Sequence, residues 1–333
     1  MNHVGRRQFL LASGALFAAS FAGAQPARRF RVGCLWSASE VAVRPYRDAF
    51  VAGMRERGYL IERNLTFDER HAEGDSARYG ALAEELIALR PDVLAGIEGP
   101  AVALRSKTTT IPIVLIASSN PVAAGLVQSL ARPGTNVTGN SFRLDELIAK
   151  QFELLVEIRP KIARVAFFNS AIRPGDPGES TVALMEQSAR KAANDKGLAL
   201  VIVAANDVAG ARNAFERLQS ERVQGLVVAS SGPTQNLRDE IIAGARRLRL
   251  PSISGLPAEF AASGGLATYG PNFLESYRYA ASYVDRILKG AKPAEIPVEQ
   301  MAVFEFVINL KAAKALGITV PQSILLRADR VIE

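Results

Sequence analysis

The chain has 333 residues, 48% of them hydrophobic, with 40 basic and 33 acidic side chains and a formal charge of +7. The charges are scattered without a long run of one sign, which describes a solvated surface and argues against a nucleic-acid-binding patch. A single cysteine, Cys34, excludes an intrachain disulfide, and two histidines without a cysteine cluster argue against a transition-metal site.

The first element in chain order is "GRRQFLLASGALFAASFAGAQ". Arg6 and Arg7 precede sixteen uncharged residues, Phe9 to Ala24. That run is shorter than the roughly 20 apolar residues a membrane span requires. A basic start, an apolar middle and Ala22-Gly23-Ala24 at the end predict a secretory signal cleaved between Ala24 and Gln25. Arg6-Arg7 followed by Phe9-Leu10 resembles a twin-arginine export signal, although Gly5 and Leu11 depart from that pattern. Without residues 1–24 the charge falls to +5 and His71 is the sole histidine. A Ser-His-Asp triad would have to use it. Cys34 lacks the small-residue stretch that precedes a lipid-modified cysteine, so a free buried thiol is expected. The expected location is the periplasm.

About 309 residues remain, more than one core usually holds, which predicts two domains. "RVGCLW" (31–36) is an apolar run suited to a strand covered on both faces. Val43, Tyr46, Phe50 and Met54 recur at helical spacing over 41–57, and Gly58 ends that helix. "NLTFDER" (64–70) alternates as a strand; a helix over 75–89, capped by Asp75, follows. Strands are expected at "DVLAGI" (92–97), "IPIVLIA" (111–117) and "NVTG" (136–139). Helices are expected from about Pro100 and, briefly, from about Pro121.

The pattern then repeats. Helix 145–158 leads to "RVAFFN" (164–169), helix 178–196, "LALVIVA" (198–204), helix 207–220 and "GLVVAS" (225–230). Helix 234–248, "PSISG" (251–255) and "LATYG" (266–270) follow. Helix 272–289, "VFEFVIN" (303–309) and helix 310–316 are too few to bury a third core, so they must complete the earlier sheets. The fold class expected is α/β, with two similar doubly wound parallel-sheet lobes joined by a three-crossover hinge. Residues 25–141 with 272–301 would form the first lobe, and 142–271 with 302–333 the second. The crossings fall near 140–144, 270–272 and 300–304.

Ligands of doubly wound sheets bind beyond the carboxyl ends of the strands. The candidates are therefore the residues that follow each strand: Trp36, Ser37, Ser39 and Glu40; Glu98 and Gly99; Ser118, Ser119 and Asn120; Asn169; Ser231, Gly232 and Thr234; and Tyr269. Helix starts there present free N–H groups suited to an anion, or the same Ser, Asn and Gly residues only cap and turn. Glu98, an acid at the end of a buried strand, either meets a ligand ammonium or sits solvated on the rim. Trp36 either walls a ligand or packs the core. Tyr269 lines the cleft or packs the hinge, and Asn169 contacts a ligand oxygen or caps a turn. Glu259 reads as a surface residue in a loop. There is no G-x-x-x-x-G-K-[ST] and no G-x-G-x-x-G after a strand, which disfavours an ATP or NAD enzyme; no cofactor is expected. An export signal stands where a repressor on this core would carry its DNA-binding helices.

Five stretches carry a family resemblance: "AFVAGMRERGYLIERNLTFDERHAEGD", "TTTIPIVLIASSNPVAAGLVQSLARPGTNVTG", "ELLVEIRPKIARVAFFN", "YGPNFLESYRYAASYVDRILKGAKPAEIPVEQ" and "FEFVINLKAAKALGITVPQSILLRADRVIE". They resemble the bacterial ABC-importer substrate-binding proteins, a group that includes tryptophan- and tyrosine-associated components. The resemblance implies a type I periplasmic-binding architecture. It also implies capture of a small solute by lobe closure and delivery to a membrane permease driven by a separate ATPase, without covalent chemistry and with the protein as a monomer. Two loops depart from the family pattern. Ile97-Glu98-Gly99-Pro100 replaces Ser-Gly-Thr-Pro, and Ser119-Asn120-Pro121-Val122 replaces Gly-Asp-Pro-Val. An acid has thus moved from one loop to another, so an aromatic amino-acid ligand does not simply carry over. An amino acid or related zwitterion or carboxylate is expected. A sensor feeding a membrane receptor, or a secreted enzyme on the same fold, are the alternatives.

Overall fold

Continuous apolar runs become the central strands, and amphipathic stretches cover them. The computed structural model describes residues 29–171, 179–301 and 303–333. The segment expected to act as a signal, with Arg6 and Arg7, lies outside the described residues. The first half runs β1 (Phe30–Trp36), α1 (Glu40–Glu56), β2 (Leu65–His71), α2 (Tyr79–Ala88), β3 (Val93–Gly96), α3 (Glu98–Lys107), β4 (Ile113–Leu115) and β5 (Val137–Ser141).

The second half runs α4 (Leu144–Ile158), β6 (Arg164–Asn169), α5 (Glu179–Asp195), β7 (Ala199–Ala204), α6 (Val208–Ser220) and β8 (Gly225–Val228). It continues with α7 (Gly232–Asn236), α8 (Arg238–Arg247), β9 (Ser252–Ser254), α9 (Glu259–Ala262) and β10 (Ala267–Pro271). The chain then returns through α10 (Phe273–Leu288) and β11 (Glu299–Gln300), and ends with β12 (Phe304–Asn309), α11 (Leu310–Ala315), α12 (Gln322–Leu325) and β13 (Arg330–Ile332).

The strands form two sheets, in the orders β11-β5-β4-β3-β1-β2 and β13-β12-β10-β9-β8-β6-β7. All pairings are parallel except β10 with β12. The chain passes between the sheets after β5, after β10 and between β11 and β12. These are two parallel-sheet lobes joined by three strands of chain.

Period-2 alternation sends Val32, Cys34 and Trp36 to the face covered by α1 and α10, where Phe50, Met54 and Tyr283 pack. Leu35 faces the other layer with Leu86, Leu94 and Leu104. The second lobe repeats this division, with Phe167 in one layer and Phe168 in the other. Each fully buried side chain of this kind contributes about 1.5–3 kcal/mol. Gly53 is what lets α10 lie so close to α1. A Cβ there would stand 2.4 Å from the carbonyl oxygen of Arg278.

Three local expectations are corrected, and two short strands are added. The helix expected from Pro121 is a series of turns, closed by Gly125 at φ +68°. The helix expected over 234–248 breaks at Leu237 into α7 and α8. Glu259 opens α9 rather than lying in a loop. The short strands β11 and β13, too brief to announce themselves by alternation, add one edge to each sheet.

Candidate functional site

A cavity of about 320 Å³ lies between the lobes, at the carboxyl ends of their strands. Such a volume is at the small end of ligand pockets. One wall is aromatic. Tyr46 of α1 meets Phe273 of α10 edge-to-face with centroids 6.4 Å apart, and lies 5.4 Å from the Tyr277 ring. Phe273 and Tyr277 are four residues apart on α10, so they share one face of the helix. Burial, with the carboxylates of Glu259 and Glu305 adding to it, pushes the Tyr46 hydroxyl above its ordinary range. Tyr79, at the start of α2, closes the wall near Gly99; burial, then Asp75, pushes its hydroxyl up to about 12. These phenols are neutral at physiological pH.

Glu98 opens α3 and is the pivot of the polar wall. One carboxylate oxygen accepts from the Ser118 hydroxyl, the Ser119 N–H (2.8 Å), the Ser119 hydroxyl (3.1 Å) and the Asn120 N–H (3.4 Å). The other oxygen accepts from the Thr181 hydroxyl of α5, on the opposite lobe. Glu98 is therefore neither a solvated rim acid nor isolated; it ties the 118–120 loop to the facing lobe. A second contact closes the same cleft. Gly74, at φ +82°, lies so near Asn236 that a Cβ would stand 2.0 Å from Asn236 Nδ2. Among the described residues the charged side chains of the lining are Glu98 and Glu179, and no lysine or arginine lines it.

Of the residues expected from sequence, Ser37, Glu98, Gly99, Ser118, Ser119, Ser231 and Gly232 line the cavity. The other seven do not. Trp36 is 1% exposed and sits one ring behind the wall, stacked on Tyr277 at 5.3 Å and donating from Nε1 to Glu69 at 2.9 Å. Ser39 caps α1 by accepting from the Ala42 N–H, and Glu40 is exposed in its first turn. Asn120 turns its side chain to the Ala123 N–H at 3.0 Å, although its own N–H serves Glu98. Asn169 is fully buried and accepts from the Ser170 N–H. Thr234 completes the capping box of α7 with Ser231. Tyr269 stacks on Phe304 at 5.7 Å, within the second lobe.

Among the lining residues that sequence reasoning missed are Tyr46, Tyr79, Thr181, Met185, Phe273 and Tyr277. The four aromatics sit in the opening turns of helices, beyond the strand ends themselves. Thr181 lies eleven positions past Ser170, because α5 begins only at Glu179. His71 is not among the lining residues; its ring stacks on Trp36 at 6.3 Å.

Two α/β lobes of this topology, with a solute-sized cavity where their strands end, define the type I periplasmic-binding class. The chain belongs within it to the ABC transporter substrate binding protein family, whose model matches residues 33–332. A tyrosine-binding protein of Clostridioides difficile (strain R20291) is 25% identical over 272 residues, 81% of this chain and 76% of that protein. Among solved structures, a conserved domain protein from Vibrio cholerae is 29% identical with a TM-score of 0.82, covering 91% of this chain and 100% of its own. The ABC domain from Streptococcus pneumonia in complex with L-Trp is 26% identical with a TM-score of 0.81, over the same shares of the two chains.

Proposed function

We propose that this protein is the monomeric periplasmic receptor of an ABC importer. It captures an amino acid or a closely related small amine between its lobes and hands it to a membrane permease. The observation that carries this reading is the pairing, in one cavity, of the Glu98 carboxylate with the Tyr46, Phe273 and Tyr277 wall. The acid suits an ammonium, and the rings suit an apolar body or the cation itself. The likeness to a tyrosine-binding protein and to a domain solved with L-Trp supports the same ligand class.

The two bodies that close are residues 25–141 with 272–301 and residues 142–271 with 302–333. A ligand drives closure only by binding the closed form more tightly. A hundredfold difference supplies about 2.7 kcal/mol. The signal-like opening of the sequence supports capture outside the cytoplasm.

Mass spectrometry of small molecules released from natively purified protein, followed by titration calorimetry, tests the reading. An amine or amino acid should be recovered and should rebind. Absence of binding across a broad panel of amino acids and amines would sink it.

A further inference from the structure

We propose that the cavity selects a carboxylate-free amine over the amino acid that shares its side chain. This rests on the reading above and narrows it.

Recognition of a ligand carboxylate calls for a basic side chain or a cluster of convergent, unengaged donors. No lysine or arginine is among the described lining residues. A convergent donor cluster does exist, in the 118–120 loop. Two hydroxyls and two backbone N–H groups from Ser118, Ser119 and Asn120 point at a single spot. That is the geometry of a carboxylate site, and the protein fills it with its own Glu98 carboxylate. An incoming carboxylate finds these donors engaged and meets the negative charge of Glu98 beside them.

A cation meets the reverse situation. The hydrogen bonds to Glu98 fix its carboxylate in place, so its field is preorganised. Tyr46, Phe273 and Tyr277 present π faces and edges to the same space, and an ammonium near such rings is attracted further. The α-carboxylate of an amino acid therefore meets the Glu98 carboxylate where the donors of the 118–120 loop are already engaged.

The test is calorimetry on the full mature chain with matched pairs that differ only by the carboxylate: tyramine and tyrosine, tryptamine and tryptophan, putrescine and ornithine, cadaverine and lysine. The best-bound pair should favour the amine by about tenfold or more, a difference of about 1.4 kcal/mol. Glu98→Gln, which keeps the side-chain shape, should reduce that advantage to near parity. Glu98→Gly, which frees the donor cluster, should turn the preference toward the amino acid. An amino acid that binds the unaltered protein as tightly as its amine overturns the inference and leaves the solute-binding reading standing. Silence from every amine and amino acid, with the protein folded by circular dichroism, overturns the proposed ligand class and the inference with it.

Discussion

Replacing Thr181 with valine removes one hydroxyl and keeps the volume of the side chain. In this fold that hydroxyl donates to Glu98 across the cleft, joining α5 of one lobe to α3 of the other. A hydrogen bond to a charged acceptor is worth about 1.5–3 kcal/mol net. Both partners are half-exposed, so water can replace part of the bond when the lobes separate, and the lower end applies. About 1.5 kcal/mol corresponds to roughly a tenfold change in the ratio of open to closed forms. Pulsed dipolar spectroscopy can read that ratio directly. Val41 (74% exposed, on α1) and Val208 (46% exposed, on α6) lie on opposite lobes and accept spin labels after Val41→Cys and Val208→Cys. Cys34 is fully buried and stays unlabelled. Thr181→Val should raise the long-distance population relative to the short one by about tenfold. Superimposable distance distributions in the two proteins would refute the assignment of this bond to closure.

Gly53→Ala should lower the thermal midpoint by about 3 °C, although alanine is the better helix former by about 1 kcal/mol, because overpacking costs about 1–3 kcal/mol. The new Cβ would meet the Arg278 carbonyl at 2.4 Å and the Ala281 Cβ at 2.9 Å, forcing α1 and α10 apart; differential scanning calorimetry reads the sign. Trp36→Phe should leave ligand affinity within about twofold, whereas Tyr46→Ala should weaken it by about tenfold or more, since only Tyr46 faces the cavity. The Cys34 thiol, pushed up first by burial and then by the Glu69 charge, should resist maleimide at pH 8 in the native protein and react fully in denaturant. Burial, reinforced for Tyr59 by its bond to Asp285 and for Tyr79 by the Asp75 charge, pushes both phenols up to about 12. Their contribution to stability is complete below pH 10, where the unfolded chain still holds its phenolic protons. It is lost as the pH rises toward 12, so chemical denaturation midpoints should fall over that interval.

The strand–helix alternation was legible because a parallel sheet buried on both faces demands continuous apolar runs, and this chain repeats them twice. "RVGCLW" and "RVAFFN" mark β1 and β6 to within a residue. Such runs report depth but not direction. Trp36 ends an apolar strand and so reads equally as core or cavity wall. Counting by two from Val32 through Cys34 settles it, since all three belong to the layer beneath α1 and α10. The cavity's aromatics were harder to see, because Tyr46 and Tyr277 satisfy the helical period of core residues, and only the facing lobe turns that stripe into a wall. The break at Leu237 and the turns after Pro121 left no periodic signature to read.

Glu98 combines both situations. Its residue type was informative, since an acid beyond a buried strand requires partners. Which partners it finds depends on strand order. β3 pairs with β4 in the register Gly96↔Leu115, so the residues two and three places beyond each strand lie side by side. That adjacency brings Glu98 against Ser118 and leaves its second oxygen pointing toward Thr181. The pairing is long-range and absent from any local window. Once it is given, however, the direction of the carboxylate follows from donor chemistry: the nearest cluster of hydroxyl and N–H groups is the one that satisfies it. The consequence for ligand choice is therefore tied to a single side chain, and shortening Glu98 to glycine tests the placement and the selectivity together.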